Sequence, residues 1–382
     1  MISLAFLKYH RIAIFGTGFD AAKCMFELQQ RQIVVENFFN NRCQVTSFCG
    51  RPVYEPSAEN MKGIFTIIAT AENTFLSISE QLRNMELREF EDFIFYPLID
   101  RKMVLLHGNC HMSIVKEYLE SCEYFNKEYY IYYNPLICNN TEHKIRKEVL
   151  KNCDVWIHED IQENNAYGIY LSDKYIRQII NSKVLDITIP HLYGLGKAFF
   201  PQVEYNKNNP PLSNGVNTNG MFPHADIVID ECKKKGMNVE EICKFVQDDN
   251  AIDEKYIMTN FNMYMKKIKE REVCWDIKIY DFIVNHYRKE KLFFDIGHPT
   301  NTIIKEISIR ILEKLNISNI NIVAKSQMDA HETPIYPCVQ KCLSMQWKDI
   351  ELRKSGVGRL TEHMDLTEYV KEYIWWCYGY EI

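Results

Sequence analysis

At 382 residues, with 46% hydrophobic and 25% charged residues, the chain is long enough for two domains with buried cores, and disorder is not expected. A net charge of −6, from 51 acidic against 45 basic residues with no long basic block, argues against nucleic acid or an anionic membrane as the main partner, although a locally basic pocket stays open. Thirteen irregularly spaced cysteines without a C-x-x-C pair point to reduced thiols in the cytoplasm, not to a disulfide framework or zinc ribbon.

The apolar start "MISLAFLKYHRIAIFG" is interrupted by Lys8, His10 and Arg11 and runs at once into a strand, so a signal peptide is not expected. "RIAIFGTG" reads as that strand, residues 20–31 as a helix, "IVVENFF" as a strand, 63–70 as a third, 74–86 as a helix and "DFIFY" as a strand. A second alternating series starts at Lys102: "KMVLLHG" strand, 111–122 helix, "YYIYY" strand, 141–152 helix, "DVWIHE" strand, 172–181 helix and "KVLDITIP" strand. The expected fold class is α/β with two domains, 1–100 and 101–382, divided near residues 98–101. Residues 191–223, rich in Gly, Pro and Asn ("NKNNPPLSNGVNTNG"), read as a long loop. Helical sequence follows over 224–290, then "LFFDIGHPTN" as a strand ending in a polar turn, and a helix over 300–315. The aromatic C-terminus "EYVKEYIWWCYGYEI" reads as a docked amphipathic helix, because acids interrupt it. No run of about 18 apolar residues predicts an integral membrane segment.

"GTGFDA" after the first strand is a truncated dinucleotide fingerprint: Gly16 and Gly18 are in place, Ala21 stands where a third glycine would, and Asn40 replaces the ribose-binding acid. With "NN" and "GRPVYEP" (50–56), this stretch resembles the small Rossmann-like domains attached to many polysaccharide-biosynthesis enzymes and methyltransferases. Nucleotide binding through Gly16 and Gly18 and a scaffold or docking role both remain open.

"LLHGNCHMS" places Gly108, Asn109, Cys110 and His111 where a strand ends and a helix begins. A thiol at a helix start gains from unpaired amides, which favour the thiolate, and those amides with the Asn109 side chain suit an oxyanion. The plain alternative is a cysteine packed beneath the helix. A nucleophile needs a base, and Asp295 and His298 stand three apart after an apolar run, where the carboxylate can fix the imidazole tautomer. This is the D-x-x-H arrangement of SGNH-type hydrolases. His158 and Glu159, then His191 and Tyr193, end strands of the same series, a position that faces the ligand crevice in open α/β sheets. No metal is expected: His107, Cys110 and His111 alternate in direction, and no carboxylate is spaced to join them.

From about residue 102 onward the chain resembles the WcbI-like polysaccharide-biosynthesis acetyltransferases. Five pieces occur in the same order: "LLHGNCH" for the family's G-N-C-Q opening, "CDVWIHEDIQEN", "ITIPHLYGLGKAFFPQ", "KEREVCWDIKIYDFI" and "KLFFDIGHPTN". His111 departs from the family's Gln. The resemblance implies an SGNH-hydrolase-like (flavodoxin-like) three-layer α/β/α domain with a helical insertion. It further implies an O-acetyltransferase that carries acetyl from acetyl-coenzyme A to a sugar hydroxyl in capsular or other surface-polysaccharide synthesis. Cys110, His298, Asp295 and Asn109 are then the catalytic candidates; Gly108, His111, His158, Arg177 and Lys197 are candidates for binding coenzyme A. Either His298 deprotonates the sugar for direct attack, or Cys110 first accepts the acetyl group. An SGNH-type esterase or deacetylase using Cys110 and His298, and a non-catalytic scaffold in glycan assembly, are the rival readings. The expected partner is a glycan acceptor; a homo-oligomer is left open.

Overall fold

A computed structural model describes residues 2–136, 143–165, 167–205, 222, 224–328, 332–349, 352–356 and 359–379. The chain forms two compact units, Met1–His107 with Cys122–Asp186, and Gly108–Ser121 with Ile187–Ile382.

In the first unit, strands β1 (Ile12–Phe15), β2 (Val35–Phe39), β3 (Ser47–Phe48), β4 (Arg51–Tyr54), β5 (Phe65–Ile68) and β6 (Phe93–Phe95) form one sheet in the order β3-β4-β2-β1-β5-β6. All pairings are parallel except the β3–β4 hairpin. The five parallel strands thus run 3-2-1-4-5 by chain position, the order of a doubly wound sheet. Strands β1 and β5 are buried at every residue, which is why they read as unbroken apolar runs. Helix Phe19–Gln30 buries Ala21, Cys24, Met25 and Leu28, a stripe at helical spacing.

A second sheet in the order β10-β9-β7-β8 is built from β7 (Lys102–Gly108), β8 (Tyr129–Pro135), β9 (Val155–Glu159) and β10 (Leu185–Ile189). Strands β7 and β9 are parallel, with His107 opposite His158. One apolar cluster runs from Leu7 through Leu98 and on to Met103, Leu105, Val149, Trp156 and Ile176. The division expected at residues 98–101 falls between the two sheets, whereas the first compact unit continues past it.

The helices expected over 141–152 and 172–181 are shorter, Lys147–Asn152 and Asp173–Arg177. Residues 224–290 open with a strand rather than a helix: β11 (Val203–Tyr205) pairs antiparallel with β12 (His224–Asp226). Helices Ile227–Lys234, Val239–Val246, Glu254–Arg271 and Tyr280–His286 follow. The segment "NKNNPPLSNGVNTNG" lies outside the described residues. A hairpin, Leu352–Gly356 with Arg359–Met364, went unread, while helix Leu366–Tyr378 buries Tyr369, Val370, Tyr373 and Ile374 as an amphipathic helix should. Among the described residues no helix is long and apolar enough to cross a membrane.

Candidate active site

Strand β7 is buried up to Gly108, and the chain then turns before helix Met112–Ser121. Met112 N–H donates to the Asn109 carbonyl (2.9 Å), and the Ser113 N–H and hydroxyl both donate to the Cys110 carbonyl (3.1 and 2.7 Å). These bonds fix the backbone of the turn and leave the Cys110 side chain exposed. The His111 side chain is buried, 2% exposed, beside the helix residue Met112 at 0%. A buried packing cysteine is therefore not what the turn contains.

The segment "LFFDIGHPTN", expected to be a strand ending in a polar turn, keeps the turn, but its strand is reduced to one antiparallel bridge between Phe293 and Pro299. Phe294 N–H donates to the His298 carbonyl at 2.8 Å. Within the turn, Asp295 Oδ1 accepts from the N–H groups of Gly297 (2.6 Å) and His298 (2.7 Å), and Oδ2 accepts from His298 Nδ1 at 2.7 Å. A carboxylate can only accept, so Nδ1 carries the proton and Nε2 is left to face a reacting group. Beside Asp295, Cys110 is the other side chain that acts on the His298 imidazole. Cys110, His298 and Asp295, the first nearly two hundred residues from the other two in sequence, thus come together in the second unit.

The loop "YGLGKAFF" seats this turn. Gly194 N–H donates to the Ile296 carbonyl at 2.9 Å. A Cβ on Gly196 would lie 2.3 Å from the Asp295 carbonyl oxygen, and one on Gly297 would lie 2.6 Å from the Tyr193 ring. At Gly196 the neighbour is backbone, so only glycine permits so close an approach there.

Burial opposes charge on His298, yet its bonds to Asp295 and Cys110 outweigh that and push its pKa up to about 10. Burial likewise pushes Asp295 upward, but the neighbouring imidazoles of His224 and His298 reverse this and hold the carboxyl well below its usual range. His224, which nothing in the sequence singled out, lies with its Nε2 3.8 Å from Asp295 Oδ2, beyond hydrogen-bond distance. The amide of Asn109 meets His191 Nδ1 at 3.2 Å, so the residue after β7 and a residue after β10 fix one another.

The other candidates are placed differently. Lys197 sits on the seating loop with its ammonium 5.9 Å over the Tyr264 ring. In the first unit, His158 is fully buried, bonded through Nε2 to Asp186 (2.8 Å) and 3.2 Å from Asp173, and stacked on Trp156. Burial lowers its pKa, but those two carboxylates more than compensate and raise it to about 9. Arg177 pairs with the same Asp186 and lies over Trp156. The two residues belong to one ion network around Asp186. Gly16, at φ +122°, is required by the fold itself, since a Cβ would meet the Ala69 carbonyl at 2.7 Å. Gly18 opens onto a cleft of about 510 Å³ that Asn40 and Arg42 also line, with Asn40 bonded to Thr17 at 2.5 Å. Among the described residues no group of three His, Cys, Asp or Glu is arranged to hold a metal ion.

A thiol beside an imidazole that a buried carboxylate orients, on an α/β scaffold, has the parts that nucleophilic chemistry through sulfur requires. The chain belongs to the WcbI family: the family model described as "Polysaccharide biosynthesis enzyme WcbI" matches residues 103–319, which contain Cys110, Asp295 and His298. A solved structure of WcbI superposes on it with a TM-score of 0.57 at 19% identity, over 72% of this chain and 89% of that one. That protein is described as a novel polysaccharide biosynthesis enzyme, in a native form without a disulfide bond between coenzyme A and a cysteine. At this identity the likeness shows a shared fold. No curated protein sequence matches the chain.

Proposed function

We propose that the protein is an acetyl-coenzyme A-dependent O-acetyltransferase acting on a sugar hydroxyl in surface-polysaccharide synthesis, such as that of a capsule, with the second domain, 101–382, SGNH-like. The observation that carries this reading is the Asp295–His298 hydrogen bond with the exposed Cys110 acting on the same imidazole. Membership of a polysaccharide-biosynthesis family supplies the glycan, and the mention of coenzyme A with a cysteine in the solved relative supplies the acyl carrier. A cytoplasmic setting, where acetyl-coenzyme A is available, belongs to the same proposal.

Of the two routes, the ionisation of His298 favours the one through Cys110. With its pKa near 10 the ring is charged at neutral pH, so it cannot take a proton from a sugar hydroxyl, but it stabilises a thiolate beside it. The Cys110 sulfur attacks the acetyl carbonyl and the coenzyme A thiolate departs with the proton of His298. Exchange of one thioester for another is nearly balanced, which suits cysteine. Having given its proton to coenzyme A, the His298 ring is now the base that takes the proton as the sugar oxygen attacks the acetyl group. The Cys110 thiolate leaves and the charged pair is restored. Asn109, held by His191, and the main-chain amides of the turn are placed to receive the oxyanion.

Lys197 is the residue assigned to the phosphates of coenzyme A; Arg177 and His158 are left out because Asp186 and Asp173 already engage them. Titration calorimetry with acetyl-coenzyme A tests the reading, with saturable binding and transfer to a glycan acceptor expected. Absence of binding, together with turnover of a chromogenic acetyl ester that coenzyme A leaves unchanged, would replace it by the esterase.

A further inference from the structure

Asp295 faces a second imidazole that the proposed chemistry does not use. His224 opens strand β12, is 8% exposed, and among the described residues neither of its ring nitrogens has a hydrogen-bond partner. Its Nε2 points to Asp295 Oδ2 at 3.8 Å, the same oxygen that accepts from His298. Burying an imidazole with both nitrogens unbonded is costly, and an apolar side chain would fill the space without that cost.

The ring is also held where it is. Two residues on, Asp226 Oδ1 accepts from the N–H groups of Val228 and Ile229 (both 3.2 Å) and its Oδ2 accepts from the Tyr336 hydroxyl at 2.8 Å. Its own N–H donates to the Tyr373 hydroxyl at 2.9 Å. The far end of the three-residue strand is therefore pinned to Tyr336 and to the C-terminal helix, and β11 pairs along it.

We infer that His224 is a positioning residue: it shares the Asp295 carboxylate with His298, keeps that carboxylate ionised, and sets how tightly His298 holds its proton. The inference rests on Cys110 and His298 being the reactive pair. Around the carboxylate the titratable groups are His224 and His298, with Tyr369 of helix Leu366–Tyr378 contributing to the same field; His298 in turn faces Asp295 and Cys110. A carboxylate that gives part of its charge to one neighbour binds the other less strongly. Removing His224 therefore strengthens the bond from Asp295 to His298, and His298 keeps its proton to higher pH. A merely structural loosening has the opposite sign, because water admitted to the site returns His298 toward an ordinary imidazole value.

The test is an NMR titration of the His298 ring in histidine-labelled full-length protein, comparing the wild type with His224→Phe and His224→Gln. The midpoint is expected to rise in His224→Phe, on the order of half a pH unit, and to stay at the wild-type value in His224→Gln, whose carboxamide keeps a polar N–H facing the same oxygen. A midpoint unchanged or lowered in His224→Phe overturns the inference. Should that variant not fold, the His224 ring resonances in Asp295→Asn decide: a shift supports the contact, and none overturns it. These readouts need no acetyl transfer, so loss of the transferase reading and loss of the His224 inference are separate outcomes.

Discussion

His298 is charged at neutral pH because two neighbours act together. Asp295 contributes a buried carboxylate 2.7 Å from Nδ1, and Cys110 adds to its effect. Asp295→Asn keeps an acceptor for the Gly297 and His298 N–H groups but removes the charge. His298 is expected to titrate about 1–3 pH units lower in that variant, read by NMR, with kcat for acetyl transfer down by roughly 10²–10⁴-fold. An unchanged midpoint would mean that the carboxylate does not set the ionisation of the ring. At this scale Cys110, Asn109, Asp295 and His298 were legible because each stood at a strand end with a partner of fitting chemistry. His224 was not, since a lone histidine beside a Pro- and Asn-rich stretch carries no spacing signal. His158 and Arg177 turn out to be paired with acids, which sequence does not foretell, because a polar residue looks the same whether a ligand or another side chain neutralises it. The acids that engage them, Asp173 and Asp186, were themselves in plain view.

The elements show where local chemistry overrides an apolar run. "LFFDIG" has the composition of a strand, but the Asp295 carboxylate takes the N–H groups of Gly297 and His298 and folds the backbone back after a single bridge. Ser172 similarly caps helix Asp173–Arg177 at its start, as sequence suggests, but the helix stops well short of residue 181. Strand β7, by contrast, was readable to the residue, because a buried run bounded by Gly108 leaves no competing interaction. The seating of the Asp295 turn on the 193–198 loop gives a further test. Gly196→Ala sets a methyl group against backbone that cannot move aside and should cost about 1–3 kcal/mol of stability, measured by denaturant unfolding. Gly297→Ala meets only the half-exposed Tyr193 ring, which can swing away, and should cost less. Equal effects would show that the loop does not hold the turn as described.

Across the whole molecule the charged pair links stability to pH. His298 has a folded value raised above the ordinary ~6.5, so its stabilising contribution is complete below that pH and is lost as pH rises through about 10. Asp295 is depressed, so its contribution is present above the ordinary ~3.9 and is lost as pH falls toward its folded value. Thermal unfolding should therefore show a wild-type advantage over Asp295→Asn across neutral pH that shrinks on both the acid and the far alkaline sides. An advantage independent of pH would place the effect in packing. The apolar cluster that joins Leu98 to Met103, Leu105 and Trp156 bears on the division into residues 1–100 and 101–382. Expressed alone, residues 101–382 would leave those side chains uncovered and should unfold at markedly lower temperature than the full chain; equal stability would favour two independent domains.

Rapid-quench mass spectrometry of the intact protein, mixed with acetyl-coenzyme A and no sugar, reads the central step most directly. One acetyl group on Cys110 is expected, absent from Cys110→Ala and discharged when a glycan acceptor is added. Full transfer to glycan with Cys110 never modified, and undiminished transfer by Cys110→Ser, would contradict it.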